Sequence, residues 1–130
     1  MTYNSDESGR MEVYLTRFPS GAGKWQVSAD GGQWPHWNGR GDRLYFARGN
    51  DILEVEVRTE ASAAGVIPDL GTPTRLFTRV ALGPSTADTY AGFDVTRDGA
   101  RFLTLRPAAP GTSDAGIVIV ESWQKEFGRQ

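Results

Sequence analysis

The sequence predicts an all-β fold made of repeated, four-stranded antiparallel units. Short segments in which apolar and polar residues alternate are separated by turns rich in Gly, Pro, Asn and Asp, as in half-buried strands. Two segments of the chain also align with each other without gaps, 58 positions apart, which indicates an internal repeat. A sustained helical pattern is nearly absent. We therefore expect one domain, over residues 1–130, that consists almost entirely of sheet.

The alternation places the predicted strands. Segment 11–18 puts Met11, Val13 and Leu15 on one face, and segment 51–57 alternates Leu and Val with Glu54 and Glu56. The same pattern in weaker form predicts further strands at 2–5, 24–28, 43–47, 74–78, 92–96, 101–106 and 116–121. Three stretches are predicted to be loops, at 61–71, 80–90 and 107–115, and the only predicted helix is one short turn at 122–127.

Composition excludes several classes of function. The net charge is −2 and no dense Lys/Arg cluster exists, so we expect no nucleic-acid partner. There is neither a long apolar run nor a signal peptide, because residues 1–10 are polar and acidic; this predicts no membrane partner and a cytoplasmic location by default. The chain has no cysteine and one histidine, which excludes disulfides and thiolate or His-rich metal sites. Composition does not exclude a calcium or magnesium site made of carboxylates alone, but we expect no cofactor and no metal.

The internal repeat relates residues 35–46 to residues 93–104. Each copy is predicted to be a strand, a four-residue turn and a second strand, with Gly41 and Gly99 where a tight turn needs a positive φ. A weaker correspondence, 40 positions apart, matches Gly9 with Gly49, Val13 with Leu53 and Leu15 with Val55. Four-stranded units with a period of about 40 to 58 residues are typical of β-propeller blades. The long connection at 59–73 accounts for the variation in the period.

Three segments carry a family resemblance: SDESGRMEVYLTRFP, GGQWPHWNGRGDRLYF and FDVTRDGARFLTL. They resemble the repeats of TolB-type, WD40-like (PD40) propellers, in which a Trp or Val precedes Ser-Pro-Asp-Gly, a basic residue and an apolar strand. The chain looks most like the last blades of propellers fused to bacterial serine/threonine kinases, which similarly finish as IVIVESWQKEF does here. Residues 38–41 and 96–99 depart from Ser-Pro-Asp-Gly but keep the closing Gly. Such relatives are often extracytoplasmic.

The resemblance implies a partial propeller of about two and a half to three blades. Blade one would span 2–28 without an innermost strand, blade two would span 33–78 in full, and blade three would span 91–127 without an outermost strand. Such an array leaves an apolar sheet face uncovered at each end. We therefore expect self-association, with two copies that complete a six-bladed ring, or association with another protein partner.

Four residues are candidates for ligand binding. His36 and Asp94 lie on predicted innermost strands, which line a propeller's channel. The plainer interpretations are that His36 packs between strands or faces solvent, and that Asp94 accepts a hydrogen bond from the backbone of a neighbouring blade. Trp34 follows Gly31 and Gly32 in a predicted loop, where an aromatic ring can bind a ligand instead of filling the core. Asn38 is the fourth, because it follows His36 on the same segment.

No catalytic residue is predicted. The sequence has no serine in a nucleophile-elbow context and no phosphate-binding Gly-Lys-Ser/Thr loop. The sequence therefore predicts a non-catalytic binding or assembly module for a protein or a small ligand. The alternative is a propeller-type hydrolase, lactonase-like or glycosidase-like, with a site assembled across subunits. That alternative requires His36, Asp94 and Asn38 to converge.

Overall fold

The computed structural model describes residues 1–62, 65–79, 92–106 and 116–121. Every regular element in these ranges is a strand, and all strand pairs are antiparallel, so the predicted all-β class is confirmed. No helix in this part of the chain is long and apolar enough to cross a membrane. The strands are β1 Thr2–Ser5, β2 Glu12–Thr16, β3 Lys24–Gln26, β4 Gln33–Trp37, β5 Arg43–Arg48, β6 Asp51–Ser62, β7 Gly65–Leu70, β8 Thr74–Thr78, β9 Phe93–Val95, β10 Arg101–Arg106 and β11 Gly116–Glu121.

The strands form three sheets in chain order. Sheet one has the order β1-β2-β3, and sheet three has the order β9-β10-β11. Sheet two, between them in sequence, has the order β4-β5-β6, with β7 and β8 each pairing with a different part of β6. The predicted loops at 80–90 and 107–115 and the predicted helix at 122–127 lie outside the described residues.

The predicted loop at 61–71 is wrong. Strand β6 continues to Ser62, and β7 returns along it with Thr59 opposite Pro68. The predicted connection at 59–73 is therefore reduced to a short link between β7 and β8, where the Gly71 N–H donates to the Glu56 carbonyl at 2.9 Å. Strands β6 and β7 form a hairpin that extends beyond the end of β5.

Pro68 had indicated a loop, since proline has no N–H for a sheet. Its strand nevertheless forms because Pro68 lies on the free edge of the hairpin. Two positions earlier, the Val66 carbonyl points away from β6 and accepts hydrogen bonds from Arg17 Nε at 3.2 Å and Nη2 at 2.9 Å. Alternation along the strand puts the backbone nitrogen of Pro68 on the same outer edge, where no ladder bond is lost.

The centre of sheet two is buried on both faces. Along β5 the four residues from Leu44 to Ala47 are all buried, and alternate ones enter different clusters. Leu44 and Phe46 pack toward sheet one, in a cluster with Val13, Leu15, Val27, Leu53, Val55 and Val57. Tyr45 and Ala47 pack toward sheet three, in a cluster with Ile52, Leu76, Phe77, Phe93 and Phe102. The contact between sheets one and two is called junction one, and that between sheets two and three junction two.

The two turns of the 58-position repeat have the same geometry. The Asn38 N–H donates to the Arg43 carbonyl at 3.1 Å, and the matching Thr96 N–H donates to the Arg101 carbonyl at 2.9 Å. The matching glycines, Gly41 and Gly99, both have a φ of 73°. The hydrogen bond that closes the turn and the left-handed glycine are therefore both repeated.

The weaker correspondence, 40 positions apart, is wrong. Val13 and Leu15 belong to the same buried cluster as their supposed equivalents Leu53 and Val55, so the two pairs face each other across junction one. Equivalent residues in a repeated array point the same way instead, as Leu44 and Phe102 do, each toward the preceding sheet. The connections explain the error, because six residues separate Ser5 from its partner Glu12, whereas β5 and β6 are joined by a two-residue turn.

A matched pair of glycines tests junction two. Gly41→Ala should lower the free energy of unfolding by about 1–2 kcal/mol, the cost of a side chain in the left-handed region. Gly99→Ala should cost about 1–3 kcal/mol more, because a Cβ there would lie 2.5 Å from Tyr45 Oη, whereas at Gly41 it meets nothing within 4 Å. Urea denaturation of both variants measures the difference. Equal losses of unfolding free energy in the two variants would show that the turn of sheet three does not lie close against Tyr45.

Candidate functional site

Two of the four candidate residues meet at junction two. His36 lies on β4 and Asp94 on β9, and His36 Nδ1 is 3.5 Å from Asp94 Oδ1. The 58-position repeat makes them equivalent residues of neighbouring sheets. Each residue lies on the first strand of its sheet, so the contact joins sheet two to sheet three.

The environment of His36 favours the neutral form of the imidazole. The ring packs on Phe93 with centroids 4.8 Å apart and is 31% exposed. Burial lowers the pKa of His36 below its ordinary value of 6.5, and the Asp94 carboxylate only partly opposes this. Asp94 is 70% exposed, and its Oδ1 accepts a hydrogen bond from the Val95 N–H at 2.8 Å. Across the junction, Asp94 thus lies next to the side chain of His36. The sequence had favoured a hydrogen bond between Asp94 and the backbone of the neighbouring sheet instead.

An open cleft of about 410 Å³ begins at Asp94. It continues over the outer face of sheet three, where Leu103 is 40% and Ile119 61% exposed. These two residues are register partners on β10 and β11 and therefore lie side by side. Val95, Thr96, Arg101 and Phe102 complete the lining. The cleft is thus largely apolar, with the Asp94 carboxylate at one end and with Thr96 and Arg101 as the other polar residues of its lining.

Asn38 lies outside this cleft. Its side-chain carbonyl accepts hydrogen bonds from the N–H groups of Gly41, Asp42 and Arg43, at 2.9, 3.2 and 3.2 Å. Its amide group donates to Asp42 Oδ1 at 2.6 Å. The residue is 5% exposed, and every contact described for its side chain is inside its own turn. Asn38 therefore shapes the turn and does not converge with His36 and Asp94.

Trp34 lies in β4 and not in the predicted loop. Its backbone has a φ of 55°, unusual for a bulky residue, and the register of β4 against β5 shifts between Gln33 and His36. This irregularity turns the indole toward the cluster of junction two, where the ring is partly buried. Trp34 thus packs against the cluster that contains Phe93, and it is not among the residues that line the described cleft.

A second contact across junction two was not anticipated from the sequence. The Gly39 N–H donates to the Arg97 carbonyl at 2.7 Å, and a Cβ on Gly39 would lie 2.0 Å from Arg97 Cγ. The sequence did contain a signal for this contact, namely the departure from Ser-Pro-Asp-Gly at 38–41. A proline at position 39 would have no N–H to donate. The departure thus supplies a hydrogen bond between sheets two and three.

The described residues contain no group of three or more His, Asp or Glu side chains that could hold a metal ion. His36 and Asp94 by themselves amount to two potential ligands. Comparison with known proteins adds nothing to this site, since no family model matches the chain and no curated protein matches it either. The function is therefore argued from the geometry.

Acidification should destabilise the fold through His36. Its pKa is lower in the folded chain than in the unfolded chain, so the unfolded chain takes up the proton more readily. The free energy of unfolding should be constant, for this residue, above the ordinary pKa of 6.5 and should fall as the pH drops below it. Urea denaturation between pH 7.5 and about 5 measures the slope.

Two variants test whether His36 causes this dependence of the free energy of unfolding on pH. His36→Phe should flatten the dependence near pH 6, since phenylalanine keeps the packing and does not titrate. Asp94→Asn should make it steeper, because Asp94 is the group that raises the pKa against the effect of burial. An unchanged slope in His36→Phe would mean that another group is responsible.

Proposed function

We propose that the chain is a non-catalytic assembly module. Its three sheets would form part of a propeller-type array, as in the TolB-type repeats that it resembles, and the uncovered face of sheet three would bind a second copy of the chain. Two copies would then supply six sheets. Sheet two supports the array, because β4, β5, β6 and β8 are antiparallel in the order of a four-stranded blade, with β7 as an extension of β6.

Contacts between equivalent residues favour a radial array. When sheets are related by rotation about one axis, equivalent residues of neighbouring sheets approach each other near that axis. His36 meets its equivalent Asp94, and Gly39 hydrogen-bonds to its equivalent Arg97. Both contacts involve the first strand, or the turn after it, of sheets two and three. These strands would thus be the innermost ones, as the resemblance implies.

The observation that carries the proposal is the outer face of sheet three. Leu103, Leu105 and Ile119 are 40 to 61% exposed on it, whereas the equivalent strand of sheet two, β5, buries its apolar residues on both faces. A contiguous apolar patch of this kind is typical of an interaction site. At both internal junctions, apolar sheet faces are buried against another sheet. A second copy of the chain would supply such a sheet to cover the exposed face of sheet three.

The mass of the full chain in solution tests the proposal. One chain has a mass of 14.2 kDa, and light scattering should give twice that mass. Leu103→Glu should shift the equilibrium to the single chain, because a buried, unpaired carboxylate is costly. Glu60→Lys, on the exposed extension of β6, is the matched control and should remain paired. A wild-type mass of one chain at all accessible concentrations would refute self-association.

The pairing of His36 with Asp94 favours a second candidate, a hydrolase with a site completed by a neighbouring subunit. A neutral imidazole with a carboxylate near Nδ1 can accept a proton at Nε2 and activate water. Lactone and glycoside substrates, tried with and without calcium, should then show turnover that is lost in both His36→Ala and Asp94→Ala. No turnover, or turnover that survives both changes, would rule this candidate out.

A further inference from the structure

A cleft lies between sheet one and the hairpin of β6 and β7. Val57 and its register partner Leu70 pack into the cluster of junction one. Two positions further along the hairpin, Thr59 and Pro68 are register partners on the same face, and there the two sheets enclose a cleft of about 350 Å³. We call it the hairpin cleft, and its lining includes Leu15, Arg17, Trp25, Thr59, Val66 and Pro68.

The walls of the hairpin cleft are mainly apolar and open to solvent. Leu15 and Trp25 are register partners on β2 and β3 and line it from sheet one. Pro68 and Val66, which is 54% exposed, line it from the hairpin. The Trp25 ring is held in place by Gly23, since a Cβ on that glycine would lie 2.3 Å from the ring atom Cη2. An apolar cleft of this size with few polar groups is typical of a site for a small molecule.

Arg17 provides the positive charge of the hairpin cleft. Its Nε and Nη2 donate to the Val66 carbonyl at 3.2 and 2.9 Å, and its Cζ lies 5.4 Å from the centroid of the Trp25 ring. These contacts fix the position and the plane of the guanidinium. Nε and Nη2 form one edge of that plane, so the other edge, with one N–H each from Nη1 and Nη2, remains for a second acceptor.

No carboxylate in the described part of the chain occupies this second edge. Four other arginines have a carboxylate oxygen within 4 Å of a side-chain nitrogen: Arg10, Arg40, Arg43 and Arg58. Arg17 has none among the described residues, and none of the described lining residues of the hairpin cleft is acidic. A guanidinium edge with two parallel N–H groups fits the two oxygen atoms of a carboxylate, and apolar surroundings strengthen such hydrogen bonds.

From this geometry we infer that the hairpin cleft binds a small carboxylic acid with an aromatic body. The carboxylate lies on the free edge of Arg17, and the aromatic ring lies between Trp25 and Pro68, where it covers apolar surface. This site goes beyond the proposed function. The described residues that line it are all different from those on the exposed face of sheet three, so it does not depend on a second copy of the chain.

An NMR titration of the full chain with 3-phenylpropionate at neutral pH tests the inference. The indole N–H of Trp25 and the backbone N–H of Val66 should shift and reach saturation, whereas the N–H groups of β10 should not shift. The uncharged 3-phenylpropionamide should bind at least about tenfold more weakly, because it lacks the charge of the carboxylate. Arg17→Met keeps an apolar side chain and should lower the affinity for the acid by at least about tenfold, to that for the amide.

Two further variants control this experiment. Arg58→Met removes an equal charge from the opposite face of the same hairpin, where Arg58 pairs with Glu56, and should leave the affinity unchanged. Thr59→Trp fills the cleft from the hairpin side without altering Arg17, and should weaken binding of the acid and of the amide. Because Thr59 is exposed, this second variant provides the test if Arg17→Met folds poorly.

Three results would overturn the inference. The first is the absence of saturable shifts at Trp25 and Val66, and the second is equal affinity of the wild-type chain for the acid and the amide. The third is full affinity for the acid in Arg17→Met or in Thr59→Trp, since the ligand would then occupy another place on the molecule.

Discussion

Phe102→Ala should lower the free energy of unfolding by about 3–5 kcal/mol, as is typical when a fully buried phenylalanine is truncated. Phe102 has no exposed surface, and its ring makes edge contacts with Tyr45 at 5.1 Å and Phe77 at 5.2 Å. Its side chain is the centre of junction two, since it connects β10 with both β5 and β8. Its removal leaves a cavity between two rigid sheets, which cannot collapse without moving one of them.

The loss should be concentrated in sheet three. Hydrogen exchange in Phe102→Ala should accelerate more in β9 and β10 than in β2, because junction one is untouched. Leu103→Ala is the matched control, as it removes the next side chain on the opposite, exposed face, and it should cost less than about 1 kcal/mol. Both variants are compared at a protein concentration at which the chain is single, since association adds to apparent stability. Comparable losses in the two variants would show that sheet three does not depend on junction two.

The strand pattern could be predicted because each strand depends on local alternation, and the matched turns could be predicted because their glycines recur. The hairpin of β6 and β7 could not, because whether Pro68 breaks a strand depends on which edge is free. That edge is set by pairing with β6 and by Arg17, which is distant in the sequence. The wrong 40-position correspondence has a related cause, since alternation does not say which face of β2 meets sheet two.

Part of the candidate site could also be predicted from the sequence. The repeat placed His36 and Asp94 at equivalent positions, and neighbouring equivalent strands bring such residues together. The burial of His36 on Phe93 depends on how sheet three packs, which the sequence does not reveal. Asn38 was chosen for its place beside His36, although the Asn-Gly pair is itself a turn signal. The positive φ of Trp34 depends on the register shift in β4, for which no local signal exists.

Asn38→Ala should lower the free energy of unfolding by about 2–3 kcal/mol. The variant removes the acceptor of the part-buried N–H groups of Asp42 and Arg43, and the loss of these hydrogen bonds is costly. The Gly41 N–H loses one of its two acceptors, since it also donates to the Asn38 backbone carbonyl at 3.2 Å. Thr96→Ala is the matched control at the equivalent position. Thr96 Oγ1 accepts one backbone hydrogen bond, from Arg101 at 3.1 Å, and the residue is more exposed, so the control should cost about 0.5–1.5 kcal/mol.

The pKa of Asp42 reports on the same turn by a separate route. A hydrogen bond from Asn38 is the main reason that the pKa of Asp42 lies below its ordinary value, with Arg40 and Arg43 as smaller contributors. Asn38→Ala should therefore raise the pKa of Asp42, as followed by NMR, while Thr96→Ala should leave it unchanged. If Asn38 were a ligand-binding residue with no part in the turn, neither the stability nor the pKa of Asp42 would change. Because this turn also directs the Gly39 N–H at Arg97, its loss should loosen junction two, and with it the sheet that carries the exposed face.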